Sequence, residues 1–147
     1  MRRPAHANQL SAGLARGLTE VTTVTCVGVD AVQIATWTRH LRLGGNLLLR
    51  RTYTPAEIAY CAGRVERLAS RLAGKEAVLK ALGTGIRGVG LRDIEIVTTP
   101  VGRPTVVLHD RAAAAANRAG IERVEVSLCH EEDYALAVAV GIAESAG

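Results

Sequence analysis

Four ionisable residues stand where chemistry is possible: Asp30, closing the string VTTVTCVGVD, and Lys75, Glu76 and Lys80 within RLAGKEAVLKALGTG. On a helical wheel Leu68, Leu72, Leu79 and Leu82 form one narrow apolar stripe, with Lys75 in its middle and Glu76 at its edge. Charged side chains are rarely buried unless paired or bound, so Lys75 must snorkel, pair, or face a pocket. Glu76 and Lys80, four residues apart, are helix neighbours and read equally well as an exposed ion pair. Asp30 reads equally well as the cap of a following helix. The functional alternative pairs Asp30 with Glu76 around a hard divalent cation. Magnesium takes one or two carboxylates and leaves its other positions to water and substrate phosphates. With lysines alongside, such a site suits a diphosphate.

Two further segments bear on this. Gly83-Thr84-Gly85 follows a helix and lacks the Gly-Lys-Ser/Thr of a Walker loop, so it is neither that motif nor a dinucleotide fingerprint. It reads as a helix stop and turn, or as a place where backbone N–H groups approach a phosphate unhindered. His130 ends a strand on its apolar face and reads as a core histidine or as a ligand. Cys129 beside it points to the opposite face, so the two form no thiol–imidazole pair.

These residues need elements to hold them. Residues 1–20 have no strong period and read as a loose extension, leaving 21–147 as the domain. A β-branched strand ends near Asp30, and AVQIATWTRHLRL then turns helical until Gly44-Gly45 breaks it. Thr54, Pro55 and Glu57 form a capping box with proline at the first helical position, opening a short helix that ends near Gly63. A longer helix spans roughly 64–82 and stops at Gly83. RDIEIVTT and TVVLH make a hairpin over TPVGRP, and DRAAAAANRAG is a helix with Asp110 as cap and Gly120 as stop. IERVEVSLCH alternates, placing Val124, Val126, Leu128 and His130 on one face. YALAVAVGIA alternates large and small, as a central strand does. Without a regular βαβ rhythm the pattern predicts an α+β fold: an antiparallel sheet packed with helices.

Composition narrows the function. The chain of 147 residues carries a net charge of +4, which suits an acidic partner. Its aromatics are Trp37, Tyr53, Tyr60 and Tyr134, with no Phe, so it lacks the stacking platforms of single-stranded nucleic-acid binders. Cys26, Cys61 and Cys129 are scattered, which argues against a disulfide framework or zinc site and for a reducing, cytoplasmic setting. No apolar run approaches the roughly 20 residues of a membrane span.

In order, the pieces resemble the holo-acyl-carrier-protein synthase family, the short trimeric class of 4′-phosphopantetheinyl transferases. The resemblance runs from about Thr23 to the C-terminus. It rests on GVD at 28–30, TPAEIAYC at 54–61, RLAGKEAVLKALGTGI at 71–86, GRP at 102–104 and SLCHEEDYALA at 127–137. It implies transfer of the phosphopantetheine arm of coenzyme A to a serine of an apo acyl carrier protein, releasing 3′,5′-ADP. It further implies a homotrimer with active sites between subunits. Asp30 and Glu76 match the magnesium-holding positions, and Lys80 matches the lysine beside the diphosphate. Arg71, Lys75 and His130 match positions lining the coenzyme A site, to which Gly83 and Gly85 are added. On this reading Glu76 deprotonates the serine, and Lys80 stabilises or protonates the departing phosphate.

Carrier proteins are acidic, so Arg39, Arg42, Arg50 and Arg51 read as a docking face or as a solvated helix side. Leu72 stands where the family often has Phe, and Cys129 where Ser or Thr is usual. Fatty-acid and polyketide carriers are both open as partners. The rival is a non-enzymatic basic adaptor for acidic proteins or nucleic acid. The feature that separates them is Asp30 with Glu76, since a binding module has no need to gather carboxylates amid lysines.

Overall fold

A computed structural model describes residues 21–85 and 88–145. The extension expected over residues 1–20 lies outside the described residues, as do Ile86 and Arg87 of the glycine-rich turn. The chain runs β1 (Val21–Gln33), α1 (Ile34–Thr52), α2 (Pro55–Cys61), α3 (Val65–Leu82), a 3-10 turn (Leu91–Asp93), β2 (Ile94–Thr98), β3 (Pro104–Leu108), α4 (Asp110–Arg118), β4 (Arg123–His130) and β5 (Tyr134–Ser145). β1, β5 and β4 form an antiparallel sheet in that order, and β2 with β3 a separate hairpin. The fold is α+β, as the pattern predicts.

Local signals act where they were expected. The capping box is complete: the Glu57 amide donates to Thr54 Oγ1 at 3.3 Å and the Thr54 amide to Glu57 Oε2 at 2.8 Å. Gly83 closes α3 with φ 71°, a left-handed value that favours glycine. Gly45 interrupts α1 at φ 55° and ψ −150°, after which the helix resumes as far as Thr52. Two boundaries differ from expectation. β1 continues past Asp30 because Ala31, Val32 and Gln33 still find ladder partners in Leu136, Ala135 and Tyr134. Asp110 is the first residue of α4 rather than its cap, a place taken by His109.

α3 is the centre of the molecule. The leucines suggest one buried stripe, yet every residue from Leu68 to Lys75 is buried. The sheet covers one side of the helix, while α1, α2, α4 and β2 contact it elsewhere. Small residues make this possible. Ala135, Ala137 and Ala139 of the central strand face inward and are buried. On β1, a Cβ at Gly28 would collide with the Ala77 carbonyl oxygen and lie 2.7 Å from the Ala81 nitrogen. A second core, beside α1, gathers Trp37, Tyr53, Cys61, Leu68, Leu72 and Ala135. There the Trp37 indole donates to the Tyr53 hydroxyl at 2.9 Å, which donates to the Leu68 carbonyl at 2.7 Å.

Lys75 lies in the interior with its side chain fully buried. Its ammonium donates to Glu57 Oε2 at 2.7 Å, the Leu91 carbonyl at 3.0 Å and the Ile94 carbonyl at 2.5 Å. Three acceptors use all three of its N–H bonds. Glu57 is equally satisfied, since its other oxygen accepts the Ile96 amide at 2.9 Å. Burial pulls the Lys75 pKa down, and the charge and hydrogen bond of Glu57 push it back up. The lysine expected to line the coenzyme A site ties α3 to α2, the 3-10 turn and β2.

Two measurements of unfolding by urea check this packing. Gly28→Ala, which forces β1 off α3, is expected to cost about 3 kcal/mol. Gly88→Ala, in open space, is expected to stay within about 0.5 kcal/mol of the parent. Lys75→Met leaves a buried carboxylate without its cation and is expected to cost about 3–5 kcal/mol, with part recovered in Lys75→Met/Glu57→Gln. A Lys75→Met protein as stable as the parent contradicts the assignment.

Candidate active site

Asp30, Val32 and Gly28 alternate onto the inner face of β1, the face that packs on α3. Because Gly28 lets the helix come close, Asp30 meets α3 at Lys80, the exposed residue of its last turn. The Lys80 ammonium donates to Asp30 Oδ1 at 2.8 Å and to the Val29 carbonyl at 3.0 Å. Glu76, one turn earlier, is half-buried. Burial raises its pKa first, the neighbouring Asp30 charge raises it further, and Lys80 pulls it back. The Asp30 carboxylate thus bonds Lys80 and also bears electrostatically on Glu76.

Such an oxygen donor set fits a hard cation. Among the described residues no group of three or more His, Cys, Asp or Glu is placed to hold a metal ion. A magnesium ion needs only one or two carboxylates, with water and phosphate oxygens completing its shell. Gly83 and Gly85 follow three and five residues after Lys80, both with positive φ, and the buried Thr84 hydroxyl between them has no hydrogen-bond partner among the described residues.

Arg71 and His130 belong to a second group. They line a cleft of about 230 Å³ together with Tyr60, Arg67, Thr98 and Gly102. The Arg71 guanidinium is stacked 4.2 Å from the Tyr60 ring and donates to Thr98 Oγ1 at 2.6 Å, while its buried Nε–H has no partner among the described residues. A cationic side chain lining a cleft is suited to an anion. The sequence reading missed Tyr60, Arg67 and Thr98 here. Tyr60 stood in the quoted TPAEIAYC, but nothing local ties it or Thr98 to Arg71.

The expected site residues therefore fall into two half-sites. Asp30 is carried by β1 and His130 by β4, the opposite edges of the three-stranded sheet, with β5 between them. Two strand spacings put roughly 10 Å between those edges. Lys75 belongs to neither group. Of the two departures, Leu72 packs in the second core and Cys129 is exposed beside His130.

Known proteins share both sequence and architecture with this chain. The sequence profile of the 4′-phosphopantetheinyl transferase superfamily matches residues 26–139. The holo-[acyl-carrier-protein] synthase of Koribacter versatilis is 46% identical over 114 residues, covering 75% of this chain and 91% of that one. The corresponding protein of Moorella thermoacetica is 44% identical over 116 residues, 77% and 90% of the two chains. Among solved structures, the Neisseria meningitidis holo-[acyl-carrier-protein] synthase superposes with a TM-score of 0.74 at 35% identity, covering 81% of this chain and 98% of that one. The Helicobacter pylori enzyme, solved in complex with coenzyme A, gives 0.72 at 29% identity over 78% and 98%. By sequence and by fold, this chain belongs to the 4′-phosphopantetheinyl transferase superfamily.

Proposed function

We propose that the protein moves the 4′-phosphopantetheine arm of coenzyme A onto a serine hydroxyl of an apo acyl carrier protein, with magnesium, releasing 3′,5′-ADP. The observation that carries this is the meeting of Asp30, Glu76 and Lys80 at one end of α3 in a member of this superfamily. A basic adaptor offers no reason for two carboxylates to share that place. The working unit is the domain from about residue 21 onward, and its setting is cytoplasmic. Among the described residues no helix is long and apolar enough to cross a membrane. Neither nucleic acid nor membrane is assigned as a partner.

Asp30 and Glu76 would hold the magnesium ion, which when bound neutralises and polarises the diphosphate. Glu76 takes the proton of the attacking serine. Its raised pKa moves a carboxylate towards the range in which it serves as a base. Lys80, with its side chain 56% exposed, supplies positive charge or a proton to the departing phosphate. Arg71 and His130, which line the same cleft, bind an anionic part of coenzyme A, and the Gly83–Gly85 turn lets backbone N–H groups approach it. Lys75 acts only through the helix it anchors.

The two half-sites suggest how the enzyme is assembled. On the outer face of the sheet Val27, Val29, Leu136 and Val138 are 58%, 53%, 40% and 43% exposed, with Tyr134 beyond them. A contiguous apolar face of this kind marks a protein–protein contact. A homotrimer that covers it and sets the β1 edge of one subunit against the β4 edge of the next completes each site between copies. The acidic carrier protein then docks on Arg39, Arg42, Arg50 and Arg51, all exposed on α1.

Intact-mass spectrometry of an apo carrier protein with coenzyme A tests the reaction. A phosphopantetheine-sized gain is expected with magnesium and none in chelator. Glu76→Gln and Lys80→Ala are expected to lower turnover by about 100-fold or more. Either variant at near-parent turnover rules out the role given to that residue.

A further inference from the structure

Lys80 does more in this geometry than wait for a phosphate. Its charge already rests on Asp30 Oδ1, an oxygen of the carboxylate a divalent cation would use, and on the carbonyl of Val29. The pair is asymmetric. Asp30 is only 18% exposed and fixed on a strand, whereas Lys80 is 56% exposed on a flexible stem. Lys80 also eases Glu76, whose carboxylate is disfavoured by burial and by Asp30. One ammonium therefore offsets the repulsion of both carboxylates. A divalent cation does the same with twice the charge, and two cations against one small carboxylate pair repel each other.

We propose that Lys80 is an internal competitor of the divalent cation, displaced from Asp30 when the cation binds. The inference rests on the reading of Asp30 and Glu76 as the cation-holding pair. Lys80 then weakens binding of the cation on its own, and its ammonium becomes available to an anion only once the cation is in place. Cation loading and arming of the lysine are a single event.

The test uses the protein without coenzyme A or carrier, and Mn2+ as probe, with free Mn2+ counted by electron paramagnetic resonance. Lys80→Met is expected to bind Mn2+ roughly three- to tenfold more tightly than the parent, Lys80→Arg to stay close to it, and Asp30→Asn to lose binding. The Lys80→Met gain shrinks at high salt, as an exposed charge effect must. In the parent, acetylation of the Lys80 amine by acetic anhydride, read by peptide mass spectrometry as the acetylated fraction of its peptide, is expected to rise when Mg2+ replaces chelator. Lys80→Met binding no tighter than the parent, with Asp30→Asn still abolishing binding, overturns the competition and leaves the site assignment standing. Asp30→Asn binding as well as the parent overturns both.

Discussion

The structure depends on one buried ion pair. Lys75 and Glu57 meet at 2.7 Å with their side chains almost wholly out of water. Two backbone carbonyls and two backbone amides complete the set. Such a pair adds little net stability compared with a well-packed apolar one, but it tolerates no other arrangement, because a displaced partner is a buried unpaired charge. It therefore sets the rotation of α3 about its own axis. Arg71 lies one turn before Lys75 and Glu76 immediately after it. The direction in which each leaves the helix follows from the anchor between them.

The packing of the sheet acts on the same helix from the other side. Gly28 and the inward alanines of β5 let strands and helix approach closely, and this brings Asp30 to Lys80. The same alternation that sends small residues inward sends Val138 and Leu136 outward. Close packing within the chain and an uncovered apolar face outside it are thus two results of one pattern. The sheet order puts Asp30 and His130 on opposite edges, so the assembly proposed above asks the outer surface to join what the topology separates.

Much of this was legible in the amino-acid string, for local reasons. Thr54, Pro55 and Glu57 announce α2, and Gly83 announces the end of α3, because caps are satisfied within a few residues. Asp30 and Glu76 were paired by reasoning on charge and by family resemblance; in the structure Lys80 bonds Asp30, and the neighbouring Asp30 charge raises the Glu76 pKa. The fate of Lys75 was not legible. Its partner is 18 residues away, and its two carbonyl acceptors are 16 and 19 away. Glu57 already had a complete local explanation in the capping box, which concealed its second task. The leucine stripe misled for a related reason: a helix walled on all sides needs small residues as well as large ones. Ala69, Ala73 and Gly74 carry no amphipathic signal, and all are buried. The cleft around Arg71 joins α2, α3, β2 and β4, a convergence that no spacing rule encodes.

The central claim is that each active site takes one half from each of two neighbouring copies. Complementation between two inactive variants tests it most directly. Asp30→Asn disables the β1-edge half, and Arg71→Ala disables the cleft at the β4 edge. Co-expressed in equal amounts, the two variants should regain about a quarter of parent transfer activity, since random mixing leaves that share of sites with both halves intact. Activity no higher than that of either variant alone, in mixed assemblies shown by mass to contain both chains, would contradict the account and place the whole site within a single chain.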